Sequence, residues 1–290
     1  MKKLKNLIIE LSYNCNFACS MCGYGGKPID KDLFMPWHTL MATIEQIDAD
    51  EIRLNGRGES TIHPYINEMI QYVAEMRAGQ IELFTNGSWK KSTGDVFYRN
   101  NVQLYISMDS LDANNLESIR KGVNFFRLIR QIDSLGNIQP RPYIVFTLQN
   151  RNAHEVLDIA TFAWKRRLNI IYNVIHIATE EIKNRHLVSY IVGLNSARDL
   201  YKDCDLECII PDQIQGQVLN FDGVSTNNSE NKCPAVDNEL CVLYNGDILP
   251  CNMFCPETLG NIHDLENMKP FKDQANHWHC KSCASMTGGF

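Results

Sequence analysis

Apolar and polar positions alternate with two different periods along the first two thirds of the chain. Short apolar runs rich in β-branched and aromatic residues occupy 7–11, 51–55, 80–84, 102–108, 143–148 and 169–175, and read as strands. Between them, apolar residues recur at helical spacing over 37–47, 64–76 and 153–167, and a helix within 113–135 ends near Gly136. Pro64 suits a first helical turn. Strand followed by helix, repeated, predicts a parallel sheet with right-handed crossovers. Six such strands are fewer than the eight of a closed barrel, so the expectation is an α/β fold, an open (β/α)6 partial TIM barrel. In such folds chemistry collects at the carboxyl ends of the strands.

Beyond residue 175 the pattern changes. The stretch 180–194 looks helical, 209–230 is mixed and polar, and from Cys233 onward the chain is rich in cysteine and short of periodicity. The expected organisation is a barrel domain over 1–195, a bridging region over 196–232 and a small C-terminal domain over 233–290 built on a β-hairpin and a helix. Asn245-Gly246 marks the hairpin turn.

Composition narrows the class. With 44% hydrophobic and 21% charged residues in 290, this is an ordinary soluble globular chain. A formal net charge of -6 gives no electrostatic footprint for nucleic acid. No apolar run is long enough for a bilayer, and the basic start leads into a strand rather than a signal peptide. A cytoplasmic protein without nucleic-acid or membrane partners is expected.

Eleven cysteines are many for such a chain, and none lies between Cys22 and Cys204. Clustering at the two ends predicts two metal sites. Cys15, Cys19 and Cys22 follow the first strand with the spacing C-x3-C-x2-C. Iron–sulfur clusters normally take four cysteines, so three thiolates suit a cluster with one open iron. The alternatives are a zinc loop or free core cysteines. Near the other end stand Cys233, Cys251, Cys280 and Cys283, a set of four that suits zinc equally well by ligand type, with His277 and His279 beside the last pair. Cys204, Cys208, Cys241 and Cys255 are left over, and free cysteines are commonly small buried hydrophobes.

The cysteine loop resembles the signature of the radical SAM superfamily. That resemblance implies a [4Fe–4S] cluster whose open iron binds S-adenosylmethionine, and a 5′-deoxyadenosyl radical that takes a hydrogen atom from an unactivated C–H bond. It also implies SAM contacts. Leu54-Asn-Gly-Arg-Gly-Glu-Ser-Thr is similar to the glycine- and glutamate-containing motif that holds the SAM ammonium, with Gly56 and Gly58 for close backbone approach and Glu59 as acceptor. Arg57 replaces the usual second glycine, and serves the SAM carboxylate or faces solvent. Ser107 is assigned to SAM; Asp109 is either a contact or the cap of the next helix. Asn86, in Thr-Asn-Gly, contacts SAM or makes a turn. Met21 and Tyr24 are the candidates to pack on adenine.

The C-terminal cysteines, with Gly246 at the hairpin, resemble the SPASM/Twitch extension of that superfamily. This implies that Cys233, Cys251, Cys280 and Cys283 hold an auxiliary [4Fe–4S] cluster, in a layout similar to the aminocyclitol dehydrogenase type. Hydrogen abstraction from a small polar substrate, an aminocyclitol or aminosugar, would then lead to dehydrogenation, with the auxiliary cluster accepting the second electron. A base is needed, and His176, Glu180 and Glu181 are candidates just past the sixth strand. The alternative is epimerisation of a sugar or peptide residue, with Cys241 or Cys255 returning the hydrogen, or modification of a peptide. Peptide substrates are the less expected of these, because the barrel starts at the N-terminus without a module for leader-peptide recognition, although a separate protein could supply one. The cluster implies a low-potential donor such as flavodoxin or ferredoxin. A reading of another class is a non-catalytic iron–sulfur carrier or sensor, against which the Gly56–Glu59 and Ser107–Asp109 segments argue.

Overall fold

A computed structural model describes residues 3–77, 79–136, 138–174, 187–210, 238–251 and 258–269. Strands β1 (Leu4–Ile9), β3 (Ala49–Leu54), β4 (Gln80–Thr85), β5 (Gln103–Ser107), β7 (Tyr143–Leu148) and β8 (Asn169–Val174) lie side by side and parallel in that order. They are the six strands of the partial barrel. Helices α1 (Trp37–Gln46), α2 (Ile66–Met76), α3 (Lys91–Arg99), α4 (Ala113–Ile119), α5 (Phe125–Leu135), α6 (Val156–Lys165) and α7 (Leu187–Tyr201) connect them or follow the last. Among the described residues no helix is long and apolar enough to cross a membrane.

Two edges extend the sheet. β9 (Cys208–Ile209) pairs parallel with β8. On the other side β10 (Glu239–Val242) pairs parallel with β1 and carries the antiparallel β11 (Asp247–Leu249) and β12 (Gly260–Asn261). The expected hairpin is therefore β10–β11, and it continues the barrel sheet, with Ile8 opposite Cys241. A two-stranded ribbon of β2 (Ala18–Cys19) and β6 (Arg120–Lys121) stands apart.

Strands covered on both faces read as continuous apolar runs, and Leu7, Ile8 and Ile9 are all fully buried. Successive side chains point to opposite faces. Leu7 and Ile9 join the main core under the helices, whereas Ile8 joins Cys241, Leu243 and Leu249 on the inner face. Beyond them the inner face carries a polar and aromatic cluster. Arg53 donates to Glu82 at 2.6 Å and to Glu51 at 3.2 Å, and the Tyr105 hydroxyl donates to Glu82 at 2.9 Å. Phe84, Tyr105 and Tyr143 are neighbours in register, and their rings stack at 4.2 and 4.9 Å.

Three elements differ from the sequence reading, each for a local reason. The long helix expected within 113–135 is two helices: Asp112 caps α4 by accepting from the Asn115 amide, and Asn124 caps α5 by accepting from the Arg127 amide. Between them Arg120 and Lys121 leave the helix to pair with the cysteine loop. α3 was not expected, because its sequence is polar and contains Gly94; Thr93 and Phe97 bury its one packed face, with Trp89 against Phe97 at 5.6 Å. The helix expected over 180–194 is seen as α7, and 175–186 lie outside the described residues.

The hairpin turn needs its glycine. Gly246 has φ +88, and a Cβ there would lie 2.9 Å from Asn261 Oδ1. Gly246→Ala is expected to cost about 1–2 kcal/mol in the left-handed region, read as a lower unfolding midpoint.

Candidate active site at the carboxyl ends of the strands

The cysteine loop leaves β1 and is clasped at its base. The Asn14 side-chain amide donates to the Asp30 carbonyl at 2.7 Å and accepts from the Asp30 amide at 2.9 Å, so one residue ties the two ends of the loop. Gly25 and Gly26 fold the chain back on Phe17 and Ala18: the Gly26 amide donates to the Phe17 carbonyl at 2.9 Å, and a Cβ on Gly25 would sit 2.2 Å from that oxygen. The β2–β6 ribbon holds the middle, with Cys19 opposite Arg120.

Cys15 and Cys19 are half-buried and Cys22 is exposed. Burial pushes the Cys15 thiol up to about 11, with Glu59, Cys19 and Cys22 adding to the effect. Burial also pushes Cys19 up, while the Arg120 guanidinium pulls the other way.

Glu59 is the hub behind the loop. It is 3% exposed and accepts four internal hydrogen bonds. Oε1 takes the Thr61 amide at 3.1 Å, the Thr61 hydroxyl at 2.6 Å and the Thr85 hydroxyl at 2.8 Å; Oε2 takes the Asn86 amide at 2.6 Å. Burial raises its carboxyl, against these donors, which lower it. Asn86, so held, turns its side-chain nitrogen to Asn16 Oδ1 at 3.0 Å and to Cys15 Sγ at 4.0 Å. Glu59 thus joins β3, β4 and the cysteine loop from inside the chain.

Three further expected site elements make contacts within the chain. Arg57 is part-buried. Its guanidinium grips Glu10, a fully buried carboxylate 47 residues earlier, through Nε at 2.9 Å and a terminal nitrogen at 2.7 Å, and lies 4.5 Å from the Tyr13 ring centre. The close approach at Gly56 and Gly58 is made by the chain itself: a Cβ on Gly56 would lie 2.4 Å from Glu10 Cγ, and one on Gly58 2.3 Å from the Ser12 carbonyl oxygen. Asp109 neither caps α4, which is Asp112's role, nor is open to a ligand. It is fully buried, accepting from Arg120 Nε at 2.6 Å and from the Thr147 amide at 2.7 Å.

Ser107, by contrast, ends β5 half-buried, with no hydrogen-bond partner for its hydroxyl among the described residues. The Met21 sulfur accepts from the Gln149 amide at 3.1 Å, so Met21 sits at the end of β7. Tyr24 is 36% exposed and packs edge-on to Tyr13 at 6.1 Å. Arg120, beside Cys19 and paired with Asp109, is the residue that sequence reasoning missed; it stood inside an expected helix, with no signal to set it apart. Cys241 is fully buried among Ile8, Leu243 and Leu249, and Cys251 is half-buried at the end of the hairpin. His176, Glu180, Glu181, Cys233, Cys255, Cys280 and Cys283 lie outside the described residues.

No family model matches the chain. It is 25% identical over 155 residues to the sporulation killing factor maturation protein SkfB of Bacillus subtilis, covering 52% of this chain and 37% of that protein. It is 25% identical over 178 residues to the GTP 3′,8-cyclase of Marinobacter nauticus, covering 57% and 52%. The chain thus spans about half or less of the length of these two relatives. Among solved structures it is similar to Streptococcus suis SuiB bound to S-adenosylmethionine, with TM-score 0.71 and 16% identity over 97% of this chain and 71% of that one. It is also similar to anSMEcpe with bound AdoMet, with TM-score 0.68 and 18% identity over 97% and 87%. The fold is the α/β partial TIM barrel of these structures.

Proposed function

We propose that the chain is a radical SAM enzyme. The observation that carries this reading is the Cys15–Cys19–Cys22 loop, clasped at the carboxyl end of β1 against Asn86 at the end of β4. When bound, the cluster and SAM supply one-electron cleavage to methionine and a 5′-deoxyadenosyl radical that abstracts a substrate hydrogen. In the chain itself, Cys15, Cys19 and Cys22 hold the cluster, Asn86 braces the first of them, and Glu59 fixes Asn86. The Ser107 hydroxyl, Met21 and Tyr24 line the side on which SAM would lie. Asp109 holds Arg120 beside Cys19. Cys251, at the end of the hairpin that continues the barrel sheet, is assigned with Cys233, Cys280 and Cys283 to an auxiliary cluster.

For the substrate we favour a peptide. SkfB is named a maturation protein for a killing factor, and SuiB is known with its precursor peptide SuiA. The second reading is dehydrogenation of a small polar molecule such as an aminocyclitol or aminosugar. It is favoured by the charged inner face around Arg53, Glu82 and Tyr105. Deuterium tracing separates the two. A labelled peptide that passes deuterium into 5′-deoxyadenosine supports the first, transfer from a labelled aminocyclitol supports the second, and 5′-deoxyadenosine free of label from both removes both. No SAM cleavage at all would leave an electron carrier or sensor.

Epimerisation through Cys241 meets a specific obstacle, since this thiol is sealed among apolar side chains on the inner face. Cys241→Ala is expected to keep SAM cleavage and product stereochemistry. Loss of an epimerised product in this variant would restore Cys241 as hydrogen donor.

A further inference from the structure

Residues of α3 and α5 line the two sides of one open groove on the surface. Trp89, 2% exposed, lies at its floor, and Gly94 keeps the α3 side open: a Cβ there would meet nothing nearer than Trp89 Nε1 at 3.8 Å. Lys91, Arg127 and Arg130 line the groove against one carboxylate, Asp95. Among the described residues none of the three cations has a carboxylate partner, whereas Arg53, Arg57, Arg120, Arg141 and Arg166 each form an ion pair. The whole chain is acidic, at -6, so this is a local reversal of sign. Two of its most exposed aromatic side chains belong to the same helices, Tyr98 at 65% and Phe126 at 68%. Arginine and aromatic residues together are the composition of protein interfaces.

The groove is also close to the cysteine loop through bonded contacts. An Arg127 terminal nitrogen donates to the Ser88 carbonyl at 2.9 Å and to the Trp89 carbonyl at 3.0 Å. The Ser88 hydroxyl meets the Asn16 side chain, which donates to it at 3.0 Å, and Asn16 follows Cys15. Asn86, three residues before Trp89, approaches Cys15 Sγ at 4.0 Å. The surface that carries the unpaired cations therefore lies two hydrogen-bonded steps from a cysteine assigned to the cluster.

We propose that the groove between α3 and α5 is the docking surface for an acidic, low-potential electron carrier, a flavodoxin or ferredoxin. The inference rests on the radical SAM reading, which requires one electron delivered to the cluster for each SAM cleaved. An acidic carrier is repelled by the chain's net negative charge and drawn to this basic groove, which steers encounter toward the cysteine loop.

The test uses flavodoxin as the probe and the exposed pair Lys91→Glu/Arg130→Glu as the variant. Lys165→Glu/Lys202→Glu, on α6 and just beyond α7, changes net charge equally and serves as the control. Labelled flavodoxin is expected to bind the wild-type and control proteins at low salt, and the groove variant about tenfold or more weaker. Flavodoxin-driven formation of 5′-deoxyadenosine is expected to fall in parallel, and added salt to erase the difference. Dithionite, a small reductant that needs no docking surface, is expected to drive all three proteins equally. Equal flavodoxin binding by the groove variant and control, or capture of an acidic peptide but not flavodoxin, would overturn the proposal. Failure of dithionite to drive SAM cleavage in any of the three would overturn the radical SAM reading instead, and the binding comparison would still decide the docking surface.

Discussion

Cys19→Ala is expected to remove about four irons per chain, the content of one [4Fe–4S] cluster, and to drop 5′-deoxyadenosine formation to background. The reason is geometric. Cys15 is placed by Asn86 and Cys22 by the turn in which its amide donates to the Cys19 carbonyl, but Cys19 alone sits in the β2–β6 ribbon, opposite Arg120. With its thiol gone, two ligands remain, and Arg120 is left facing a methyl group. The fold should survive, because the ribbon pairs through backbone atoms. Iron analysis, the visible absorbance of the reconstituted protein and far-ultraviolet circular dichroism check the three parts. A variant that keeps its iron and its SAM cleavage would show that Cys19 is not a ligand.

Glu59→Ala is expected to destabilise the protein by about 3–5 kcal/mol, measured by urea unfolding. Hydrogen bonds to charged groups contribute roughly 1.5–3 kcal/mol each, and buried donors left without a partner carry a penalty of about 1–3 kcal/mol. Four donors from Thr61, Thr85 and Asn86 lose their acceptor at once, and partial relaxation offsets some of the sum. Because Asn86 then no longer braces Cys15, iron retention should fall too. Glu59→Gln keeps the shape but turns an NH2 group toward donors, so an intermediate loss is expected. A Glu59 that served SAM alone would behave differently: unfolding would be unchanged, and only the KM for SAM would rise.

The strands were legible because parallel strands covered on both faces leave long apolar runs, as in Leu7–Ile8–Ile9 and in Ile144–Val145–Phe146. The cysteine spacing and the Asn245-Gly246 turn were legible for the same kind of reason: local chemistry with few alternatives. What escaped was set by distant partners. Nothing in the neighbourhood of Arg57 announces Glu10, which reaches it only once β1 and β3 pair. Asp109 and Arg120 look like a turn residue and a helix residue until the two-residue β6 breaks the helix and buries them together. The pairing of β10 with β1 depends on segments from opposite ends of the chain. α3 was missed because one buried threonine and one buried phenylalanine are too few to leave a periodic signal. The contacts of the glycine motif within the chain were equally hidden: Gly56 lies against Glu10 and Gly58 against the Ser12 carbonyl, at the end of β1 and the start of the cysteine loop.

The most direct measurement is anaerobic iron and zinc analysis of the reconstituted chain, with 5′-deoxyadenosine quantified in the same sample under dithionite. The account predicts about eight irons per chain from two clusters, no zinc, and 5′-deoxyadenosine formed from SAM. Zinc in place of iron at the Cys15–Cys22 loop, or a fully loaded protein that leaves SAM intact, would contradict it.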